Sequence, residues 1–271
     1  MAEQTPEATR LVTEVADGVM RLTLDGPHRR NALGRPLFGE LADAVHRART
    51  DDAVRAVLVT GSGGYFCSGA DLSGSAGVTG GAAAGSGDLM GTAHTMLDAL
   101  RRLPKPTIAA VEGGAVGIGW SLALACDLTV ATESSYFLAP FTERGLLPDG
   151  GCAWFLVQAV GSRLAARLTM LPERLPARRA EALGLVTDIT PDGEAQKHAL
   201  DLAKRLADGP SHTLPLLKRM LSAAERSTDY REFLDFEWFA ATYNLTTPDP
   251  REGLTAFRER RKPDFRRSAA G

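Results

Sequence analysis

Thr107-Ile108-Ala109-Ala110-Val111-Glu112-Gly113-Gly114-Ala115-Val116-Gly117-Ile118-Gly119-Trp120-Ser121-Leu122-Ala123-Leu124-Ala125-Cys126-Asp127 is the stretch on which the fold turns. Thr107–Val111 is a short apolar, β-rich run, the pattern of a buried strand. Four glycines then mark a turn, Trp120–Cys126 reads as a wholly apolar helix, and Leu128–Ala131 as another strand. Strand, glycine turn, helix, strand is the grammar of a layered βαβ fold, so the chain belongs to the α/β class.

Working outward, the same grammar precedes this stretch. Val54–Thr60 is a second buried strand and leads through Gly64-Tyr65-Phe66-Cys67-Ser68-Gly69 to Ala70-Asp71-Leu72. Upstream, Leu11–Val15 and Val19–Leu24 alternate apolar and polar residues around Asp17-Gly18, a hairpin signal. Asn31 to Ala48 carries a helical stripe of Leu33, Leu37, Leu41, Ala44, Val45 and Ala48. From Ser73 to Gly91 nearly every residue is Gly, Ala, Ser or Thr, a composition expected to form a mobile loop. Helix is expected again over Thr92–Arg102, before Pro104 and Pro106. Beyond Pro176 amphipathic helices dominate, over Ala177–Leu183, Glu194–Ala207, Leu214–Arg226 and Tyr230–Tyr243. The last places Phe233, Phe236, Trp238 and Phe239 on one flank, an expected subunit contact.

Composition narrows the function classes. The 271 residues are 44% hydrophobic and 24% charged, with a formal net charge of -2. That is ordinary for a globular chain and gives no positive field to recruit nucleic acid. Basic residues gather at Arg29-Arg30 and at Arg258, Arg260, Arg261, Lys262, Arg266 and Arg267, either a solvated face or a phosphate site. Cys67, Cys126 and Cys152 have neither a disulfide framework nor metal-ligand spacing, so no metal is expected. The polar start and the lack of a membrane-length apolar run point to a cytoplasmic protein without a membrane span.

The two glycine turns carry the chemistry. Each sets free backbone N–H groups at a helix start, where negative charge is attracted. Two such donors converging on one point make an oxyanion hole; plain tight turns would need the same glycines. No register of Gly113, Gly114, Gly117 and Gly119 gives the dinucleotide fingerprint G-x-G-x-x-G. Gly119-Trp120-Ser121-Leu122-Ala123 nearly matches a nucleophile elbow, with Asp127, Asp149, His198 and His212 available for a triad. The preceding glycines already make the turn, however, which leaves Ser121 inside the helix.

Several segments resemble one family. Phe66-Cys67-Ser68-Gly69-Ala70-Asp71-Leu72 is similar to the F-C-A-G-A-D-L segment of crotonases, the enoyl-CoA hydratase/isomerase group. Pro104 to Gly113 resembles their K-P-x-I-A-A-V-N-G strand, Gly117-Ile118-Gly119 their G-G-G, and Cys126-Asp127 their C-D. Pro148-Asp149-Gly150-Gly151 resembles their P-x-G-G loop, and Glu252-Gly253 to Pro263 their C-terminal motif. The resemblance implies a crotonase-like ββα spiral core over residues 1–200 and a helical trimerisation region over 201–271, in trimers or hexamers. It implies an acyl-CoA thioester as ligand, with coenzyme A brought by the substrate and no separate cofactor. The amides of Ala70 and Ile118 would hold the thioester oxygen, beside Ser68, Gly69, Asp71, Leu72 and Gly117. Arg29 and Arg30 would lie near the CoA phosphates, and Phe257 and Arg260 near the adenine, in one subunit or across two.

The chain departs from the hydratase pattern. The two water-activating glutamates of hydratases fall at Ser121 and Phe141, and neither can act as a base at neutral pH. Asp149 stands where many enoyl-CoA isomerases carry their acid, so a 3-enoyl to 2-enoyl shift with Asp149 as proton shuttle is the expected reaction. Glu143 is a reserve base, and His94 borders the small-residue segment. Trp120, Phe137, Phe141 and Trp154 are candidates for an apolar wall. Decarboxylation or hydrolysis on the same oxyanion hole, and acyl-CoA binding without catalysis, are the competing readings.

Overall fold

The computed structural model describes residues 8–72 and 83–268. The chain opens with a hairpin of β1 (Arg10–Ala16) and β2 (Val19–Asp25), paired antiparallel. At its tip Asp17 and Gly18 have φ of 55° and 82°, the two left-handed positions that a type I′ turn demands. There follow α1 (Arg35–Thr50), β3 (Ala56–Gly61), α2 (Ala83–Arg101), β4 (Thr107–Val111), β5 (Gly114–Val116) and α3 (Ile118–Leu124). Next come β6 (Leu128–Thr132), β7 (Tyr136–Leu138), α4 (Cys152–Met170), β8 (Leu175–Pro176), α5 (Ala177–Ala182) and β9 (Asp188–Thr190). Helices α6 (Ala195–Ala207), α7 (Thr213–Ala224), α8 (Tyr230–Asn244), α9 (Pro248–Glu259) and α10 (Phe265–Ser268) complete the described chain.

The main sheet has the order β1-β2-β3-β4-β6-β9, parallel from β2 onward. Side chains alternate across it, as the period of a strand requires. One face sends Leu22, Leu24, Val57, Val59, Ala109 and Val111 into the core shared with α1, α2 and α3. The other sends Val19, Ala56, Leu58, Ile108, Ala110 and Val130 against α6. That helix meets the sheet with Ala195, Ala199, Ala203 and Ala207, all fully buried. Alanine at every fourth position leaves a flat stripe that lets the helix sit close. The expected division at residue 200 falls inside α6. A second sheet, β5-β7-β8, stands beside the glycine turns.

Three expected boundaries move. Helix α1 starts at Arg35, because Asn31 is left-handed (φ 55°) and its side chain is spent on loop backbone. It accepts from the Gly26 amide and donates to the Ser62 carbonyl at 2.9 Å each. Helix α2 begins at Ala83, so residues 83–91 of the small-residue segment are helical rather than loop, and residues 73–82 lie outside the described residues. Helix α3 begins at Ile118, directly on the glycine turn.

Beyond α6, polar contacts tie the C-terminal helices to the core and to one another. Lys218 on α7 reaches Asp127 at 2.7 Å, and Asp127 also accepts from the Thr107 amide and hydroxyl. Arg101 on α2 pairs with Glu225. The buried Asp249 caps α7 by accepting from the His212 and Thr213 amides at 2.8 and 2.9 Å. Helix α8 leaves Phe236, Trp238 and Phe239 exposed, whereas Phe233 is partly covered. No helix among the described residues is long and apolar enough to cross a membrane.

Candidate active site

The first glycine turn is laced to the second by a short ladder. The amides of Phe66 and Cys67 donate to the carbonyls of Glu112 and Gly114 at 2.7 and 3.1 Å, and the Val116 amide returns to Cys67 at 2.9 Å. On its other side the Gly69 carbonyl accepts from Leu33 at 2.8 Å. A trans peptide points its N–H opposite to its C=O, so the Ala70 amide is turned away from Leu33. The Gly117 carbonyl likewise accepts from Trp120 and Ser121 at 2.9 and 3.2 Å, inside α3. The Ile118 amide therefore faces outward from the helix start. Among the described residues neither the Ala70 nor the Ile118 amide finds an acceptor.

Those two free donors follow directly on glycines that touch. Gly69 (φ 98°) and Gly117 (φ 56°) are both left-handed, and a β-carbon on Gly117 would stand 4.0 Å from the Gly69 Cα. A β-carbon on Gly69 would lie 2.9 Å from the Val116 carbonyl oxygen. Glycine is needed twice over, for the backbone angle and for the approach. Two unsatisfied N–H groups side by side are a place where developing oxyanion charge is stabilised.

The Pro148-Asp149-Gly150-Gly151 loop closes onto this turn. The Ser121 hydroxyl donates to the Asp149 carbonyl at 3.0 Å. A β-carbon on Gly150 would meet Leu97 Cδ1 at 2.5 Å, Ser121 Cβ at 3.0 Å and Ile118 Cγ1 at 3.2 Å. The Ile118 side chain thus leans on the loop, which holds the Asp149-Gly150 segment against the start of α3. Among the described residues Asp149 Oδ1 is buried without a hydrogen-bond partner. Burial pushes the carboxyl above the ordinary aspartate range, the His94 charge pulling the other way. Beside it, burial pushes the Cys152 thiol up to about 12, so it stays neutral.

Other expected site residues divide. Phe141 is close, its ring 3.8 Å from where a Gly117 β-carbon would stand. Ser68 donates to the Arg29 carbonyl at 3.1 Å, and Arg29 itself pairs with Asp71. Arg30 lies over the Tyr65 ring at 5.7 Å, and Leu72 is exposed. Trp120 is 1% exposed and packs on Phe137 at 5.7 Å between ring centroids. Ser121 is fully buried and spends its hydroxyl on Asp149, so it lines the loop rather than a ligand. Trp154 is exposed and packs edge-on against Phe155. Phe257 and Arg260, on and just after α9, are exposed.

The nucleophile-elbow reading finds no triad. Besides the burial of Ser121, Asp127 is held by Thr107 and Lys218, while His212 pairs with Asp249 and His198 lies 3.4 Å from Asp188. Glu143 is exposed and faces Arg144 at 3.9 Å. Among the described residues no group of three His, Cys, Asp or Glu is placed to hold a metal. Leu97 is absent from the expected site, although its i,i+3 spacing from His94 puts both on one helix face.

Comparison with known proteins agrees with this geometry. Residues 14–268 match the family model described as enoyl-CoA hydratase/isomerase. The chain is 34% identical over 256 residues to 1,2-epoxyphenylacetyl-CoA isomerase of Escherichia coli K12, covering 94% of this chain and 97% of that one. It is 33% identical over 262 residues to 2,3-dehydroadipyl-CoA hydratase of the same organism, covering 95% and 99%. The crystal structure of an enoyl-CoA hydratase from Polaromonas sp. JS666 superposes with a TM-score of 0.90 at 34% identity, covering 94% of this chain and 98% of that one. The paired glycine turns, the α/β spiral and the match along nearly the whole chain lead to one conclusion: this protein is an enzyme of the enoyl-CoA hydratase/isomerase family, whose members act on acyl-CoA thioesters.

Proposed function

We propose that the enzyme isomerises an enoyl-CoA, moving a double bond from the 3- to the 2-position with Asp149 as its base. The observation that carries this reading is a carboxylate, buried on one oxygen and raised in pKa, on a loop packed against the helix start that carries the free Ile118 amide. The ionised Asp149 takes the proton alpha to the thioester, and the Ala70 and Ile118 amides hold the oxygen of the resulting dienolate. The protonated carboxyl then returns the proton at C4. A raised pKa suits both halves, because the group must accept and release within one turnover.

Hydration, suggested by the name of the dehydroadipyl-CoA relative, needs a further group to hold and activate water. Here Ser121 is committed to the Asp149 carbonyl and Phe141 is apolar, which favours isomerisation. The CoA phosphates are assigned to the neighbourhood of Arg29 and Arg30, and the exposed Phe257 and Arg260 to the adenine. The aromatic flank of α8 supports assembly into trimers or pairs of trimers.

The test is to incubate the protein with a 3-enoyl-CoA and, separately, a 2-enoyl-CoA, following absorbance and mass. The 3-enoyl ester should gain conjugated absorbance without change of mass, and the 2-enoyl ester should take up no water. Addition of 18 mass units to the 2-enoyl ester would instead establish a hydratase.

A further inference from the structure

The guanidinium of Arg29 is engaged with the first glycine turn itself. It pairs with Asp71, the residue after Ala70, and the two side chains are 19% and 21% exposed. That contact is one of several between residues 29–33 and 68–71. The Ser68 hydroxyl donates to the Arg29 carbonyl at 3.1 Å, and the Ser68 amide to the Arg30 carbonyl at 2.9 Å. The Leu33 amide donates to the Gly69 carbonyl at 2.8 Å and the Asp71 amide to the Leu33 carbonyl at 2.9 Å, so Leu33 brackets Ala70. The Gly69 amide donates to the Cys67 Sγ at 3.4 Å. The amides of Ser68, Gly69 and Asp71 are thus used within this clamp, and among the described residues that of Ala70 is left over.

The clamping segment needs ties to keep its shape. Arg30 and Asn31 are both left-handed, with φ of 49° and 55°, a conformation that is sterically costly for residues with a β-carbon. Asn31 is fully buried and secures its own position, accepting from the Gly26 amide and donating to the Ser62 carbonyl at 2.9 Å each. On the other side of the left-handed pair, the Arg29 side chain reaches across to Asp71. Strained backbone persists only where its surroundings hold it, so loss of this tie lets the segment relax at the end that bonds Ser68. A guanidinium held by a carboxylate must give up that partner to take a phosphate, whereas Arg30 is exposed over the Tyr65 ring and keeps the phosphate assignment.

We propose that Arg29 and Asp71 are positioning residues for the oxyanion: their ion pair holds residues 29–33 against the turn and so fixes the direction of the Ala70 amide. The inference rests on that amide serving the thioester oxygen, and it is independent of Asp149 being the base. A donor held in line acts most on the charge that develops in the transition state, so the pair governs rate more than affinity.

The experiment compares the wild type with Arg29→Met, Asp71→Asn and the exchange Arg29→Asp/Asp71→Arg, each checked for folding by thermal melting. Infrared difference spectra of a saturated acyl-CoA, isotopically labelled at its carbonyl carbon, report how strongly the bound thioester is polarised. The kinetic readout is kcat and KM on a 3-enoyl-CoA and on the matching pantetheine ester, which lacks the phosphates. Binding to the wild type should lower the carbonyl frequency. Each single variant should lose part of that shift and about tenfold in kcat on both esters, short of the 10²–10³ for a donor removed outright. The exchange should regain most of both, and it alone decides if the single variants do not fold. A carbonyl frequency unmoved in the folded variants, a rise in KM confined to the CoA ester, or a folded exchange that regains nothing would overturn the proposal. Wild-type binding without any carbonyl shift would overturn it together with the oxyanion assignment. Carbonyl shifts that follow the variants in a protein that isomerises nothing would uphold the pair and refute only the isomerase reading.

Discussion

Gly69→Ala and Gly64→Ala together separate the glycine turn's chemistry from its mere shape. Both residues are left-handed, with φ of 98° and 71°. An L-residue there costs roughly 1–2 kcal/mol of backbone strain in either place. They differ in what a methyl group would touch. At Gly64 nothing lies within 4 Å, so strain is the whole effect. At Gly69 the methyl would lie 2.9 Å from the Val116 carbonyl oxygen and 3.9 Å from the Gly117 Cα. Those atoms are backbone tied into the Cys67 ladder and cannot swing aside as a side-chain tip would. The turn must shift by several tenths of an ångström, carrying the Ala70 amide with it. Loss of one oxyanion donor costs about 10²–10³ in kcat. Thermal melting and steady-state kinetics on a 3-enoyl-CoA read the two consequences separately. Gly64→Ala should melt a few degrees lower with kcat close to wild type, and Gly69→Ala should lose about 10²-fold or more in kcat. Equal kcat for the two variants would refute the assignment of the Ala70 amide to the oxyanion.

Further outcomes follow from the same geometry. Asp149→Asn should melt higher than the wild type at pH 8. A carboxyl whose pKa is raised on folding adds stability only below its unfolded pKa and loses it as pH rises through the folded one. The gap between the two melting curves should therefore close as the pH is lowered toward 4. Lys218→Met should cost about 1.5–3 kcal/mol in denaturant unfolding by leaving the half-buried Asp127 without its cation, and it should loosen α7 first in hydrogen exchange. Trp238→Ser with Phe239→Ser should lower the assembly state seen by sedimentation, because these rings are 63% and 67% exposed in the single chain.

The parts of the fold legible in the sequence are those with a strong local signal. Asp17-Gly18 marks the hairpin, Val54–Thr60 and Thr107–Val111 read as buried runs, and the glycines announce both turns. Strands β5, β7 and β8 are two or three residues long, too short for any period to show. Helix α4 is interrupted by Gly161 (φ 75°) and mixes apolar residues around its circumference, so no stripe declares it. The start of α1 was hidden because Asn31 bonds to loops distant in sequence. The small-residue segment over 83–91 joins a helix whose later turns are anchored by Met96, Leu97 and Leu100, a tertiary effect outside local composition.

The two glycine turns were legible in the sequence, and the side-chain packing around them less so. Motif matches place the Ala70 and Ile118 amides, since glycine spacing fixes where the turns end. Trp120 adjoins the turn in sequence, and in the fold it packs against Phe137, another candidate for the same apolar wall. Ser121 occupies a family catalytic position, yet only the structure brings its hydroxyl to the Asp149 carbonyl. Leu97 enters through the packing of α2 on Gly150, a contact between segments more than 50 residues apart in sequence.

The most direct test of Asp149 as the base is a single-turnover comparison of wild type and Asp149→Asn on one 3-enoyl-CoA, with ester binding measured alongside by calorimetry. General-base catalysis is worth about 10²–10⁴ in rate. The account predicts a loss of that size in the variant with the ester bound as tightly as before. A variant that binds the ester and isomerises it at the wild-type rate would contradict it.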